Sequence, residues 1–489
     1  MNQRVSTGID GLDHVLCGGL PRHRLYLLEG DPGVGKTTLA LQFLLAGVAA
    51  GERALYITLS ETEDEIRAIA DSHGWSLDGL AMFELSALEQ QSRIDAENTI
   101  FRPSDVELTE TTRALLHRVD QVAPDRVVFD SLSELRLLAQ SALRYRREVL
   151  NLKTYFSSRK CTVLLLDDRT SEPGDQQLQS LAHGVISLHQ RAPDYGADRR
   201  RLRVTKLRGA AFRGGFHDIL IETGGVRVFP RLIAAEHHAA FERTPVPSGV
   251  AALDSLLGGG IDRGTSTLLL GGSGTGKSSI MAQYATAAAA RGERVAIFAF
   301  DELRQTAIHR ADALGMEMSR HISAGRILLQ QIDPGELTPG ELAHRAIDLV
   351  ERGGVRFIAL DTLNGYLHAM PAEQHLYIQL HELLTYLGQR GVTTMLVLTS
   401  NGMIGAVQNP VDISYIADNV VLLRYFEAEG RIRKAISVVK KRTGHHEDTI
   451  RELSMGSRGV EIGAPLSAFR GVLTGVPEFL GKSTQLSAK

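Results

Sequence analysis

Short apolar runs recur along this chain, each closed by glycines or an acid and followed by a longer stretch of helical periodicity. Residues 25–29 (LYLLE) form one such run, and residues 37–50 beyond the next glycines read as a helix that is apolar on most of its surface. Further runs lie at 54–59, 126–129 and 162–166, and a second set at 267–270, 295–300, 357–360 and 394–398, with an Ala-rich helix over 279–290. Unbroken apolar runs of this length, instead of strict alternation, are what strands covered on both faces require. Runs of this kind alternating with helices predict an α/β fold with mainly parallel sheets flanked by helices.

The two sets are copies of one another. Shifting the chain by 241 residues matches it to itself without a gap from Gly8 to Glu61: Gly8 falls on Gly249, Leu12-Asp13 on Leu253-Asp254, and Gly51-Glu52-Arg53 on Gly292-Glu293-Arg294. A period this long excludes a solenoid and indicates a duplicated domain. The expected organisation is a first domain over 1–232, a linker over 233–246, a second domain over 247–463 and a C-terminal tail over 464–489. The join (AAEHHAAFERTPVP) has two prolines and no strand pattern.

In each copy the first apolar run leads into a phosphate-cradle pattern, GxxxxGK followed by a hydroxyl residue: Gly30, Gly33, Gly35, Lys36, Thr37 and Thr38 in one, Gly271, Gly274, Gly276, Lys277, Ser278 and Ser279 in the other. Glycines let backbone amides wrap phosphate oxygens, the next helix aims its N-terminus at them, the lysine reaches the outer phosphates, and the hydroxyl ligates Mg²⁺. Two tandem P-loop NTPase domains are therefore expected, with ATP and Mg²⁺ as cofactors. Asp130 and Asp361 end later apolar runs, where an acid can join Thr37 and Ser278 in holding the metal; the bland reading is a turn residue. Glu61 and the pair Asp301-Glu302 lie beyond the next run, with Glu61 and Glu302 each 25 residues past its lysine. A carboxylate there can face the terminal phosphate as a base; otherwise it is a helix N-cap acid.

Composition changes this picture little. The chain has 489 residues, 43% apolar and 23% charged, with net charge −3, so no global basic surface points to nucleic acid. No apolar run is long enough for a membrane helix. The two distant cysteines, Cys17 and Cys161, offer no disulfide framework, which fits a reducing cytoplasm. The basic run Arg199–Arg203 reads as a solvated loop.

These segments, with the openings STGIDGLDHVLCGGLPR and PSGVAALDSLLGGGIDR and the cationic pairs Lys206/Arg208 and Lys440/Arg442, resemble the KaiC family of RecA-type ATPases over essentially the whole chain. The resemblance implies two RecA-like domains and a homohexameric double ring with ATP between subunits. It further implies that both cationic pairs reach a neighbour's nucleotide, and that a partner of the KaiB kind or another signalling protein reads the ring. It also implies serine/threonine autophosphorylation in the second domain, on the pattern I-S-T-I-x-D. Here the segment is Ile413-Ser414-Tyr415-Ile416-Ala417-Asp418; Ser414 keeps the first acceptor, whereas Tyr415 replaces the second. Copy one has Gln179-Ser180 at that place. Three function classes follow: a KaiC-like ATPase and autokinase, a DNA-acting RecA relative, and a scaffold assembled by ATP with negligible turnover.

Overall fold

The computed structural model describes residues 3–84, 104–139, 141–168, 177–193, 196–333, 335–368, 376–400, 415–472 and 478–480. The chain divides into two compact units, Met1–Arg231 and Leu232–Lys489.

The first unit is built on nine strands: β1 (Leu25–Gly30), β2 (Ala54–Thr58), β3 (Leu80–Glu84), β4 (Arg126–Asp130), β5 (Thr162–Asp168), β6 (Gly184–Arg191), β7 (Arg199–Leu207), β8 (His217–Glu222) and β9 (Gly225–Phe229). They lie in the order β3-β2-β4-β5-β1-β6-β7-β8-β9. The six strands from β3 to β6 pair in parallel, and β7, β8 and β9 extend the sheet antiparallel. The second unit supplies β10 (Ser266–Gly271), β11 (Arg294–Ala299), β12 (Ile327–Gln331), β13 (Val355–Asp361), β14 (Thr393–Thr399), β15 (Asn419–Ala428), β16 (Arg431–Lys441), β17 (Arg451–Gly456) and β18 (Gly459–Pro465). Adding nine to every label of the first order gives the second, so the duplication holds through the topology.

The apolar runs are continuous because both faces of each sheet are covered. On β1, Leu25 and Leu27 join one core and Tyr26 and Leu28 the other. Helix Lys36–Ala49 covers the second face, and helices Leu132–Ala139 and Ala142–Ser158 cover the first. On β10, Leu269 joins the core under helix Lys277–Ala290, while Leu268 and Leu270 face helices Pro339–Glu351 and Leu376–Gln389. Each fully buried aliphatic or aromatic side chain contributes about 1.5–3 kcal/mol, so these two layers fix the strand edges from which both cradles project.

Two expectations are corrected. The stretch read as a linker with no strand pattern contributes to the second unit: Ala234 enters that unit's core, and Pro245–Val246 pairs antiparallel with Ile261–Asp262. The basic run Arg199–Arg203 is not a loop but the start of β7, where Arg201 pairs with Asp218 and Arg200 with Asp198. Alternate residues of a strand leave the sheet on opposite sides, so the four arginines do not share one face: Arg199, Arg201 and Arg203 lie on one and Arg200 on the other, with the buried Leu202. Among the described residues no helix is long and apolar enough to cross a membrane.

Candidate functional site

Each cradle starts where the central strand ends. A side chain at Gly30 would meet the carbonyl of Leu188 on β6 at 2.8 Å, and one at Gly271 would meet Leu423 O on β15 at 2.3 Å. Gly35 and Gly276 cap the following helices with φ of 103° and 107°, a left-handed backbone that glycine adopts without strain. The first-turn amides of Lys36–Ala49 and Lys277–Ala290, which have no partners within their helices, border the loops.

In the first unit Lys36 Nζ donates to Gly30 O and Asp31 O, both at 2.9 Å, and lies 2.6 Å from the carboxylate of Asp168. Asp168 ends β5 directly across from Gly30. Asp130 Oδ2 accepts from Thr37 Oγ1 at 3.2 Å and from the Tyr56 hydroxyl at 2.5 Å. Burial raises the pKa of Asp130, and its carboxylate in turn helps hold the Tyr56 phenol un-ionised. Glu61 follows β2. Burial first, then the neighbouring Asp130, push its carboxyl up to about 7, and its Oε2 is buried without a hydrogen-bond partner. It is not the helix cap: Thr62 caps Glu63–Ser72 in a capping box with Glu65.

The second unit repeats the frame with different neighbours. Ser278 Oγ donates to Asp361 Oδ1 at 3.0 Å, and burial lifts the Asp361 carboxyl to about 6. Lys277 Nζ donates to Gly272 O at 2.7 Å, and burial lowers its pKa to about 8. Thr399, not an acid, stands across from Gly271. Asp301 accepts from the hydroxyl of Thr362, and Glu302 is gripped by Arg310, whose Nη1 lies 2.5 and 2.6 Å from its two oxygens. Lys277, Ser278, Ser279, Gly274, Gly276, Asp301, Glu302 and Asp361 line one cleft of about 550 Å³. Both peptide bonds after the strand-end acids, Asp130–Ser131 and Asp361–Thr362, are cis.

The donor set suits a hard cation bound together with a phosphorylated ligand. Each unit offers one hydroxyl and one buried carboxylate whose ionised form burial disfavours, a charge that Mg²⁺ would compensate while phosphate oxygens and water complete its octahedron.

The remaining candidates lie apart from these clusters. Lys206 and Arg208 are on β7 or just past it, two strands from β1, and donate to the carbonyls of Gln179 and Ser180. Lys440 donates to Ala417 O at 2.7 Å, and Arg442 to Tyr415 O at 2.6 Å while pairing with Asp418 at 3.5 Å. Ser414 lies outside the described residues; Tyr415 is exposed. Tyr56, Asp168, Arg310 and Lys434, which also lines the second cleft, escaped the sequence reading. Only Asp168 had a usable signal, because an acidic pair ends its apolar run.

The family described as "ATPase: KaiC" matches residues 5–233 and again 246–467. The chain is 25% identical over 494 residues to "Circadian clock protein KaiC3" of Synechocystis sp., covering 98% of this chain and 96% of that protein. It is 27% identical over 486 residues to "Circadian clock oscillator protein KaiC" of Synechococcus elongatus, covering 97% and 92%. It is 26% identical over 488 residues to the protein of that name from Parathermosynechococcus lividus, covering 97% and 88%. With both halves matched and the same strand order and cradle geometry in each, the chain belongs to the KaiC ATPase family.

Proposed function

We propose that this chain hydrolyses ATP at both cradles and, in the second unit, transfers phosphate to itself at Ser414, working as an ATP-assembled homohexameric double ring that signals through its phosphorylation state. The observation that carries the hydrolytic part is the repeated bond between a cradle hydroxyl and a buried strand-end acid, Thr37 to Asp130 and Ser278 to Asp361, beside an acid placed 25 residues past the lysine.

Lys36 and Lys277, with the helix N-termini, bind the outer phosphates. Thr37 with Asp130, and Ser278 with Asp361, would hold Mg²⁺, which would supply charge neutralisation at the phosphates. Glu61, raised toward neutrality and holding a free oxygen, accepts the proton of the attacking water in the first unit. In the second, Glu302 with Asp301 accepts the proton of the Ser414 hydroxyl of a neighbouring subunit. Support for the acceptor is the I-S-x-I-x-D segment. The phenol oxygen of Tyr415 stands several bonds farther from its backbone and does not substitute for the missing threonine. Phosphate at Ser414 adds about −1.5 to −2 charge one and three residues before the carbonyls held by Arg442 and Lys440, where it can draw those cations into new ion pairs. Lys206, Arg208, Lys440 and Arg442 serve a neighbour's nucleotide as cations supplied in trans.

Light scattering across an ATP titration, phosphate release, and intact-mass spectrometry with site mapping after incubation with Mg-ATP test this reading together. The expected result is a hexamer, released phosphate and one added phosphoryl group on Ser414. A monomer at saturating ATP removes the ring. A hexamer without phosphate release leaves only an assembly scaffold, and phosphate on Tyr415 alone, or nowhere in residues 411–418, removes the autokinase.

A further inference from the structure

Helix Arg304–Ala313 follows the acid pair of the second unit and carries Arg310 in its last turn. That side chain lines the cleft together with Lys277, Ser278 and Asp361. One of its nitrogens, Nη1, touches both oxygens of Glu302, while Nε is buried with no hydrogen-bond partner. A guanidinium has five N–H donors in a rigid fork, so the grip on Glu302 uses a small part of what it offers, and burial makes the unmet remainder costly. The corresponding helix of the first unit, Glu63–Ser72, has no cation at this position. The 241-residue shift puts Ile69 at this position, where it packs on the hydrophobic core, and Glu61 keeps an unbonded oxygen.

We propose that Arg310 is a γ-phosphate-sensing cation supplied in cis to the second nucleotide site, held by Glu302 while the cleft lacks a triphosphate and drawn onto the terminal phosphate when ATP enters. The inference rests on the reading of that cleft as an ATP site and of Glu302 as its base. A terminal phosphate carries more charge than one carboxylate and presents three acceptor oxygens to the fork, so it outcompetes Glu302 for Arg310. The transfer has two consequences. Glu302 loses its partner only when a transferable phosphoryl group is present, and ADP, lacking that group, leaves the grip closed. Arg310 and Asp361 line the same cleft, so the guanidinium charge reaches the corner where the metal-bearing phosphates would sit. The second site thereby discriminates triphosphate from diphosphate through a residue the first site lacks.

The test uses the full-length chain, with a parallel titration of Lys277→Ala, which is expected to leave assembly intact, to identify the binding that belongs to the first site. Calorimetric titrations with Mg-AMPPNP and Mg-ADP are compared before and after Arg310→Gln and Arg310→Lys. Arg310→Gln is expected to weaken AMPPNP by about 10–100-fold while leaving ADP within about twofold, and Arg310→Lys to recover part of the loss, since a point charge replaces the fork. Equal weakening of both nucleotides, or no change in either, overturns the proposal and leaves Arg310 as a tie between helix and strand end. A parent whose isotherms match those of Lys277→Ala has no nucleotide site in this cleft, which overturns the reading of the cleft, and this inference with it.

Discussion

The two cradles have nearly the same backbone and opposite electrostatic rest states. In the first, an acid holds the cation: Asp168 sits 2.6 Å from Lys36, and Glu61, the proposed base, is left with a buried, unbonded oxygen. In the second, a cation holds the acid: Arg310 grips Glu302, and Lys277 leans on a backbone carbonyl beside the uncharged Thr399. Duplication preserved the loop, which is local in sequence. The groups that set its electrostatics arrive from other strands and helices and have diverged. Equal motifs therefore do not mean equal sites, and each experiment below either widens or erases that difference.

The largest effect is expected at the bases. Glu61→Gln should lower turnover at the first site and Glu302→Gln phosphoryl incorporation at the second, each by about 10²–10⁴, with nucleotide affinity nearly unchanged at the first site and, with Arg310 released, no weaker at the second. Single-turnover phosphate release and phosphopeptide counting read the two separately. Loss of ATP binding in either variant would make that acid structural.

Next are the lysines. Lys36→Ala should remove roughly two orders of magnitude of ATP affinity at the first site and compromise assembly, whereas Lys277→Ala should leave assembly and chiefly abolish incorporation. Identical losses in light scattering and in incorporation for both variants would erase the contrast.

A smaller effect isolates Asp168. Because it competes with phosphate for Lys36, Asp168→Asn should tighten ATP at the first site by about three- to tenfold, and Thr399→Asp should weaken the second by a similar factor. Weaker binding after Asp168→Asn would mean that the acid positions the lysine instead of competing for it.

The smallest effect is on stability. For Glu61 the folded pKa of about 7 exceeds the ordinary 4.5, so the folded state binds the proton more tightly. The contribution is full below 4.5 and is lost as pH rises to about 7. Nucleotide-free Glu61→Gln should thus match the parent near pH 4.5 and exceed it by about 1–2 kcal/mol at pH 8, after allowance for partial exposure. Melting curves that stay parallel across that range would show that the carboxylate finds compensation as the proton leaves.

What the sequence made legible was everything close together along the chain. The strand, glycines, lysine and hydroxyl of each cradle span a dozen residues, and the shift of 241 doubled every signal. The pairing of Thr37 with Asp130 was legible too, because an acid ends an apolar run downstream of the cradle in both copies. Lys36 with Asp168 was not: they meet only because β5 lies beside β1, a fact of strand order across 132 residues. Arg310 was hidden for a different reason, since a basic residue in a helix's last turn is ordinarily a solvated complement to the helix dipole. Arg199–Arg203 misled by composition: its charges masked the alternation that buries Leu202 and Val204 in β7.

The first glycine of each cradle bears on how such motifs are read at all. Gly30 and Gly271 face carbonyls of the neighbouring strands β6 and β15, so their lack of a side chain is demanded by the sheet before any phosphate arrives. The familiar pattern is thus partly a record of strand spacing written into a nucleotide signature. An alanine there pushes on Leu188 or Leu423 and loosens the junction from which the loop departs. Its loss of ATP binding would measure how rigidly the floor holds the loop, whereas a change at Gly33, which has nothing within 4 Å of a would-be side chain, would measure the loop itself.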